Sequence, residues 1–176
     1  MLAGCGKGSD SGTPSDTSKG DASNATESAS SNLKDDGKVL NIYCWNEEFK
    51  SRITAHYPDY KEVDATHGKI GDVDVVWNIT PSDDNAYQNN LDAALLNQQD
   101  APADDKIDIF LVEADNALKY VDTDYTAPVK DLGITDADLS KQYQYTKDIV
   151  TDSKGVLKGV SWQGCPGVLF YNREAA

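Results

Sequence analysis

The sequence lacks three features that mark large classes of proteins: a surplus of basic residues, a long apolar run and a familiar hydrolase motif. Its 16 Lys and Arg face 30 Asp and Glu, a formal net charge of -14. Such a surface argues against nucleic acid as a partner, because phosphate binding needs basic groups. No run of 18 apolar residues occurs, so we expect no transmembrane helix. Neither G-x-S-x-G nor H-E-x-x-H is present, so a hydrolase has little support.

Cysteine and histidine are also scarce, and their spacing matches no familiar metal site. Cys5, Cys44 and Cys165 form no C-x-x-C pair, and His56 and His67 have no cysteine at zinc-finger spacing. We therefore predict no metal site and no cofactor. We interpret both histidines as structural or surface residues. For Cys44 and Cys165, a disulfide and two small buried side chains are alternative interpretations.

The N-terminal segment contains almost nothing that a hydrophobic core could use. From residue 6 to residue 32 the only aliphatic side chains are alanines, and no aromatic residue occurs. Burial of so little apolar surface does not offset the entropy that is lost on ordering. We therefore predict a flexible linker rich in Ser, Gly and Asp up to about Lys38, with folded structure from Val39 onward.

Short apolar segments rich in β-branched and aromatic residues predict the strands of the folded part. In the segment VDVVWNI, alternation places Val75 and Trp77 on one side of a strand. The predicted strands are 39–45, 73–79, 107–112, 156–160 and 167–172. The residues at 152–155, Asp-Ser-Lys-Gly, predict a tight turn before the fourth strand.

Apolar residues at helical spacing predict four helices between these strands. Asn46 is a suitable N-cap for the first helix, with Glu47 in its first turn, and Pro58 ends it. Thr135 and Asp138 are spaced much like a capping box ahead of the last helix. The apolar sides of the four helices are Phe49, Ile53 and Tyr57; Tyr87, Leu91, Ala94 and Leu95; Ala117, Leu118 and Val121; and Leu139, Tyr143 and Ile149.

The alternation of strands and helices predicts an α/β fold with a mainly parallel sheet flanked by helices. In such sheets, ligands bind outside the carboxyl ends of the strands. Binding residues are therefore expected in the segments that directly follow the strands. These segments are 45–47, 80–85, 113–116 and 162–163.

The first five residues carry a recognisable processing motif. Leu2-Ala3-Gly4-Cys5 resembles the lipobox of bacterial lipoproteins, in which the cysteine becomes the first residue after signal cleavage and carries a lipid. The resemblance implies an extracytoplasmic protein that a lipid on Cys5 anchors to the bacterial cell membrane. Residues 1–38 are then a lipobox remnant followed by a linker, which lets the folded part stand off from the membrane.

Two longer segments carry a more specific resemblance. KIDIFLVEADNALKYVDTDYTAPV (106–129) and SKGVLKGVSWQGCPGVLFYNRE (153–174) are similar to segments of the extracellular solute-binding proteins of ABC importers, in particular the carbohydrate-binding family 1. The likeness runs from about Val39 to the end. It implies a periplasmic-binding-protein-like fold, with a first lobe at 39–163 and, at 164–176, the hinge crossover and the first strand of a second lobe. Because members of this family are considerably longer, we expect that the chain is an N-terminal fragment without most of the second lobe.

The resemblance implies binding without catalysis. Such a protein, a monomer, captures a small sugar or oligosaccharide in a cleft between two lobes and delivers it to ABC permease subunits. An aromatic ring stacks on the apolar C–H face of a sugar, and carboxylates and amides hydrogen-bond its hydroxyls. The residues that the resemblance and the strand ends single out are Asp115, Glu113, Trp162, Asn46, Glu47, Trp45 and Gln163.

These residues also have structural interpretations, and the function has alternatives. Asp115 and Asn46 suit helix N-caps, Glu113 suits a solvated surface, and Trp45 and Trp162 suit a core. The same scaffold could bind a polyamine or a peptide instead of a sugar, since acidic turns suit a cation. A glycoside hydrolase at the cell surface is a remote alternative.

Overall fold

The computed structural model describes residues 37–165, 170 and 172–174. Its strands are β1 (Val39–Cys44), β2 (Tyr60–Glu62), β3 (His67–Ile70), β4 (Val73–Ile79) and β5 (Ile109–Phe110). Its α-helices are α1 (Glu47–His56), α2 (Ala86–Leu96), α3 (Leu118–Val121) and α4 (Gln144–Asp148). Residues 1–36 lie outside the described residues, and with them the predicted lipid attachment at Cys5 and nearly all of the predicted linker. Most of the predicted strand 167–172 also lies outside them.

The five strands form one mixed sheet in the order β2-β3-β4-β1-β5. β1 lies between β4 and β5 and is parallel to both, with Ile42 opposite Trp77 on one side and Ile109 on the other. β3 is antiparallel to β4, and β2 is antiparallel to β3. The α/β class is therefore confirmed. The expectation of a mainly parallel sheet is wrong, because an antiparallel hairpin extends one edge.

One face of the sheet carries a core of side chains from alternating positions of the two longest strands. Ile42 and Cys44 come from β1, Val75 and Trp77 come from β4, and Leu111 follows β5. This agrees with the alternation predicted for Val75 and Trp77, since successive side chains of a strand point to opposite faces. Partly buried side chains that pack against this core include those of Phe49 and Trp162.

Helix α2 supplies the second core. Tyr87, Leu91 and Leu95 are buried at a spacing of four residues, as the predicted helical stripe requires, and Ala94 packs beside them. Ile107 and Tyr120 complete this core, and Tyr43 and Phe110 pack against it from the sheet.

Helix α1 begins and ends where its sequence predicts. The side-chain oxygen of Asn46 accepts a hydrogen bond from the Glu48 backbone N–H at 2.9 Å, so Asn46 is the N-cap. The helix ends at His56, two residues before Pro58. Pro58 cannot continue a helix, because its ring clashes with the preceding turn.

The segment between α3 and α4 is less regular than predicted. The capping contacts of Thr135 and Asp138 form, with the Asp138 carboxylate accepting from the Thr135 N–H at 2.8 Å and from its hydroxyl at 2.6 Å. Turns follow them instead of a continuous helix, and α4 is only five residues long. Leu139 is buried, whereas the side chain of Tyr143 is exposed. One apolar anchor cannot hold a long amphipathic helix, since helix stability comes mostly from packing of the apolar face.

Two predicted strands are also shorter than expected. In 107–112 only Ile109 and Phe110 pair as a strand, although Leu111 continues the bonding to β1. In 156–160 only an isolated bridge between Thr151 and Leu157 forms. The tight turn before it is confirmed: Gly155 has φ +80, and the Asp152 carboxylate accepts from the backbone of the turn.

Candidate functional site

The parallel strands end side by side, and this common end is the carboxyl edge. The Thr80 N–H, directly after β4, donates to the Cys44 carbonyl oxygen at 3.0 Å. The Leu111 N–H, directly after β5, donates to the Tyr43 carbonyl oxygen at 3.0 Å. The segments 45–47, 80–85 and 113–116 therefore leave the sheet at the same edge, as the strand order requires.

A buried tyrosine ties two of the strand ends together. The Tyr87 hydroxyl lies 2.7 Å from the Leu111 carbonyl oxygen and 3.1 Å from the Tyr43 carbonyl oxygen, and it accepts from the Leu111 N–H at 3.2 Å. Burial raises the pKa of Tyr87, so the hydroxyl keeps its proton. The sequence pattern placed Tyr87 only in an apolar stripe. The hydrogen bonds of its hydroxyl depend on the tertiary fold, so helical spacing could not predict them.

Trp45 follows β1 and lies half-buried between the two cores. Its ring meets the Tyr87 ring edge-on, with 5.6 Å between centroids and 76° between planes. This geometry is favourable for two aromatic rings. Trp45 therefore packs in the core, which was the structural alternative for this residue. It also begins the segment 45–47, which was predicted to bind ligand.

The two polar residues after Trp45 are at the surface. Asn46 and Glu47 are both exposed, and the Asn46 oxygen is engaged in capping α1. Glu47 is an acidic residue in the first turn of α1, where the helix dipole favours negative charge. The carboxylate of Glu47 is therefore open to solvent at the carboxyl edge.

Glu113 and Asp115 lie in the turn after β5, and both are exposed. The Glu113 carbonyl oxygen accepts from the Asn116 N–H at 3.0 Å, which closes the turn. The Asp115 carboxylate accepts from the Asn116 side-chain amide at 3.2 Å. Asp115 is not the N-cap of α3, which begins after Ala117 without a side-chain cap. The capping interpretation of Asp115 is therefore wrong.

The segment 161–164 leads into the predicted hinge crossover, is itself called the crossover from here on, and is attached to the first turn of α1. The Trp162 ring is half-buried and meets the Phe49 ring edge-on at 5.3 Å between centroids and 67° between planes. The Gln163 amide donates to the Glu48 carboxylate at 3.3 Å. These contacts bring Trp162 and Gln163 beside the N-terminus of α1, and hence to the carboxyl edge.

The structure thus gathers five of the predicted site residues around one helix terminus. Trp45, Asn46 and Glu47 arrive from β1, and Trp162 and Gln163 arrive from the crossover. Glu113 and Asp115 leave the same edge after the neighbouring strand. The hydrogen bond between Glu48 and Gln163 was not predicted, because the position of Glu48 in the sequence indicates only an acidic residue in the first turn of a helix.

The structure also shows the surroundings of the described cysteines and histidines. Cys44 and Cys165 are both free, so the disulfide does not form. Burial raises the pKa of Cys44 to about 11, which keeps its thiol protonated and unreactive at neutral pH. Cys165 is exposed, contrary to the alternative of two buried thiols. His67 lies 2.9 Å from the Asp64 carboxylate in the β2–β3 loop, and His56 is exposed at the end of α1.

The described part of the chain lacks two further features. No group of three or more His, Cys, Asp or Glu side chains within it is arranged to hold a metal ion. None of the helices within it has the length and apolar character needed to cross a bilayer.

Comparison of the chain with protein-family models, with curated proteins and with solved structures found no significant match.

Proposed function

We propose that the protein is the binding lipoprotein of an ABC importer, with a periplasmic-binding-protein-like fold, and that it captures a small sugar or oligosaccharide. One observation carries the proposal. Half-buried tryptophans and exposed carboxylates and amides share the carboxyl edge of the strands β4, β1 and β5. Open parallel sheets bind ligands at this edge, and a sugar needs this mixture of aromatic and polar groups.

The polar groups suit hydroxyls rather than a reaction. Glu113 and Asp115 are exposed, and Asp115 already accepts from Asn116. Carboxylates of this kind accept hydrogen bonds from sugar hydroxyls without transferring a proton.

The lipid anchor and the permease enter the proposal through the sequence motifs. A lipid on Cys5 would hold the protein at the extracytoplasmic face of the membrane, within reach of the permease. The linker up to about Lys38 would act as the spacer. In this arrangement the protein works as a monomer that loads from the surrounding medium and unloads at the permease.

A saccharide panel tests the proposal. The protein is expressed from its whole coding region, and thermal unfolding is recorded with mono- and oligosaccharides, followed by calorimetry on those that raise Tm. At a ligand concentration of 100 Kd, binding adds about 2.7 kcal/mol to the free energy of unfolding. We expect at least one saccharide to bind with a Kd that hardly changes between low and high salt, because a neutral ligand is insensitive to screening.

Other results of the same assay would favour the alternatives. If the protein binds a polyamine or a basic peptide, and this affinity falls steeply in high salt, the ligand is a cation and not a sugar. Release of product from an oligosaccharide during the assay would indicate a glycoside hydrolase. No thermal stabilisation by any saccharide would contradict sugar binding.

A further inference from the structure

Two tyrosines beside the crossover form an exposed aromatic surface. The rings of Tyr143 and Tyr145 are nearly parallel, with 18° between planes and 5.9 Å between centroids. Tyr143 is 70% exposed and Tyr145 is 43% exposed. We call this pair the tyrosine platform. Contiguous exposed apolar surface, unlike singly scattered apolar residues, is typical of binding sites.

The platform lies beside Gly164, at the end of the crossover. A methyl group built on Gly164 would lie 3.3 Å from the Tyr145 hydroxyl oxygen and 3.8 Å from a ring carbon of Tyr143. Both rings therefore flank the crossover at this glycine. Gln142, the residue before the platform, donates to the Ser161 carbonyl oxygen at 2.9 Å. The platform therefore lies beside one end of the segment 161–164, and the residue before it is hydrogen-bonded to the other end.

The crossover connects the platform with the carboxyl edge. Gln163, next to Gly164, is hydrogen-bonded to Glu48 in the first turn of α1. Asn46 and Glu47 precede Glu48 at the same helix terminus. The crossover therefore connects the two regions through consecutive residues, with the platform beside Gly164 and the N-terminus of α1 bonded to Gln163.

The tryptophans of this region are less available for stacking. The Trp45 ring is half-buried between two cores and contacts Tyr87. The Trp162 ring is half-buried and contacts Phe49. A sugar ring needs an open aromatic face about as large as itself. Near the crossover, the tyrosine platform offers more open aromatic surface than either tryptophan does.

We propose that the tyrosine platform is the stacking surface for a neutral sugar ring of the ligand, and that Gln163 and the groups at the start of α1 bind its hydroxyls. This inference rests on the proposed sugar-binding function and assigns the stacking to residues outside the strand ends.

Alanine and phenylalanine variants test the platform in the protein expressed from its whole coding region. The ligand is the tightest-binding saccharide of the panel, and calorimetry measures Kd. Tyr143→Ala and Tyr145→Ala should each raise Kd by about tenfold, which is the size of one aromatic contact. Tyr143→Phe should stay within about twofold of the unsubstituted protein, because the ring face is kept. Tyr125→Ala, a control of similar exposure to Tyr145 on another part of the surface, should leave Kd unchanged.

The outcomes separate this inference from the proposed function. If the unsubstituted protein binds a saccharide and both alanine variants keep its Kd, the platform is refuted and sugar binding stands. If the alanine variants lower Tm of the ligand-free protein by several degrees and Kd stays the same, the rings pack within the chain, which also refutes the platform. If no saccharide binds the unsubstituted protein, both proposals fail.

Discussion

The parallel and antiparallel parts of the sheet are held together by different interactions. The parallel part consists of β4, β1 and β5, and its side chains, such as that of Trp77, pack in two cores. Helix α2 adds Tyr87 and Leu91 to one of these cores. The antiparallel part consists of β2 and β3, and most of its side chains are exposed. Burial of apolar surface dominates the first part, whereas backbone pairing and a few specific contacts dominate the second.

The specific contacts of the hairpin include those of the Tyr60 ring and of the buried Lys50. Ile70 also packs against the core, and Lys69 forms an ion pair with Asp74. The Trp77 indole N–H donates to the Tyr60 hydroxyl at 3.1 Å, and the Tyr60 ring covers Gly68 so closely that a methyl group there would lie 2.3 Å from it. Lys50 of α1 donates to the Ala65 carbonyl oxygen of the hairpin loop at 2.5 Å. The site uses the parallel part, so changes to the hairpin should affect stability locally and leave the site intact.

The largest expected effect is in the core of the parallel part. Leu91 is 0% exposed, and Leu91→Ala should lower the free energy of unfolding by about 3 kcal/mol because it leaves a cavity. Leu96→Ala is the matched control on the same helix, since Leu96 is 75% exposed and its loss should cost less than about 0.5 kcal/mol. Urea titration followed by circular dichroism measures both. Equal losses would contradict the assignment of the α2 face.

A smaller effect is expected at the Tyr87 hydroxyl. Tyr87→Phe keeps the ring in the core but leaves the Leu111 carbonyl oxygen without its 2.7 Å partner. An unsatisfied buried acceptor should cost about 1–3 kcal/mol of unfolding free energy. Tyr57→Phe, at an exposed tyrosine after α1, is the control and should have no measurable effect. A Tyr87→Phe protein as stable as the unsubstituted one would show that the hydroxyl is dispensable for joining the strand ends.

In the antiparallel part, the close approach of Tyr60 to Gly68 gives the next prediction. Gly68→Ala should displace the Tyr60 ring and cost about 1–2 kcal/mol of local stability. Amide hydrogen exchange should become faster in β2 and β3 and stay the same in β1 and β4. In a Tyr60→Ala background the same substitution should be nearly neutral, because the clash is gone. Faster exchange throughout the sheet would mean that the two parts unfold together.

The same difference between the two parts explains what the sequence could predict. β4 has the predicted bounds because VDVVWNI combines β-branched residues with an alternating buried face. β2 and β3 were not predicted, since YKE and HGKI contain no apolar alternation and pair mainly through their backbones. A short polar strand is specified by the neighbour it pairs with, which local sequence does not contain.

For the candidate site, strand order was the useful signal. The segments after the strands leave the sheet at one edge, as a parallel arrangement demands. The attachment of Trp162 and Gln163 to α1 could not be predicted, because it joins residues more than a hundred positions apart. The exposure of Tyr143 was missed for a similar reason. Its helical spacing indicated an apolar side, but the turns before α4 leave its ring outside the core.

The smallest expected effect is a pH dependence of the hairpin loop. The Thr66 N–H and the His67 ring hold the pKa of the Asp64 carboxyl at about 2, below the value of about 3.9 for an unfolded aspartate. Because the folded pKa is the lower one, the stabilisation is present above about pH 4 and is lost as pH falls toward 2. Asp64→Asn should therefore lower Tm slightly at pH 7, and the difference from the unsubstituted protein should shrink below pH 4. The effect is small because the pair is exposed and screened by solvent.

Carbon-13 NMR of the Asp64 carboxyl measures the titration directly, and a midpoint near 4 would show that the loop contacts do not persist in solution.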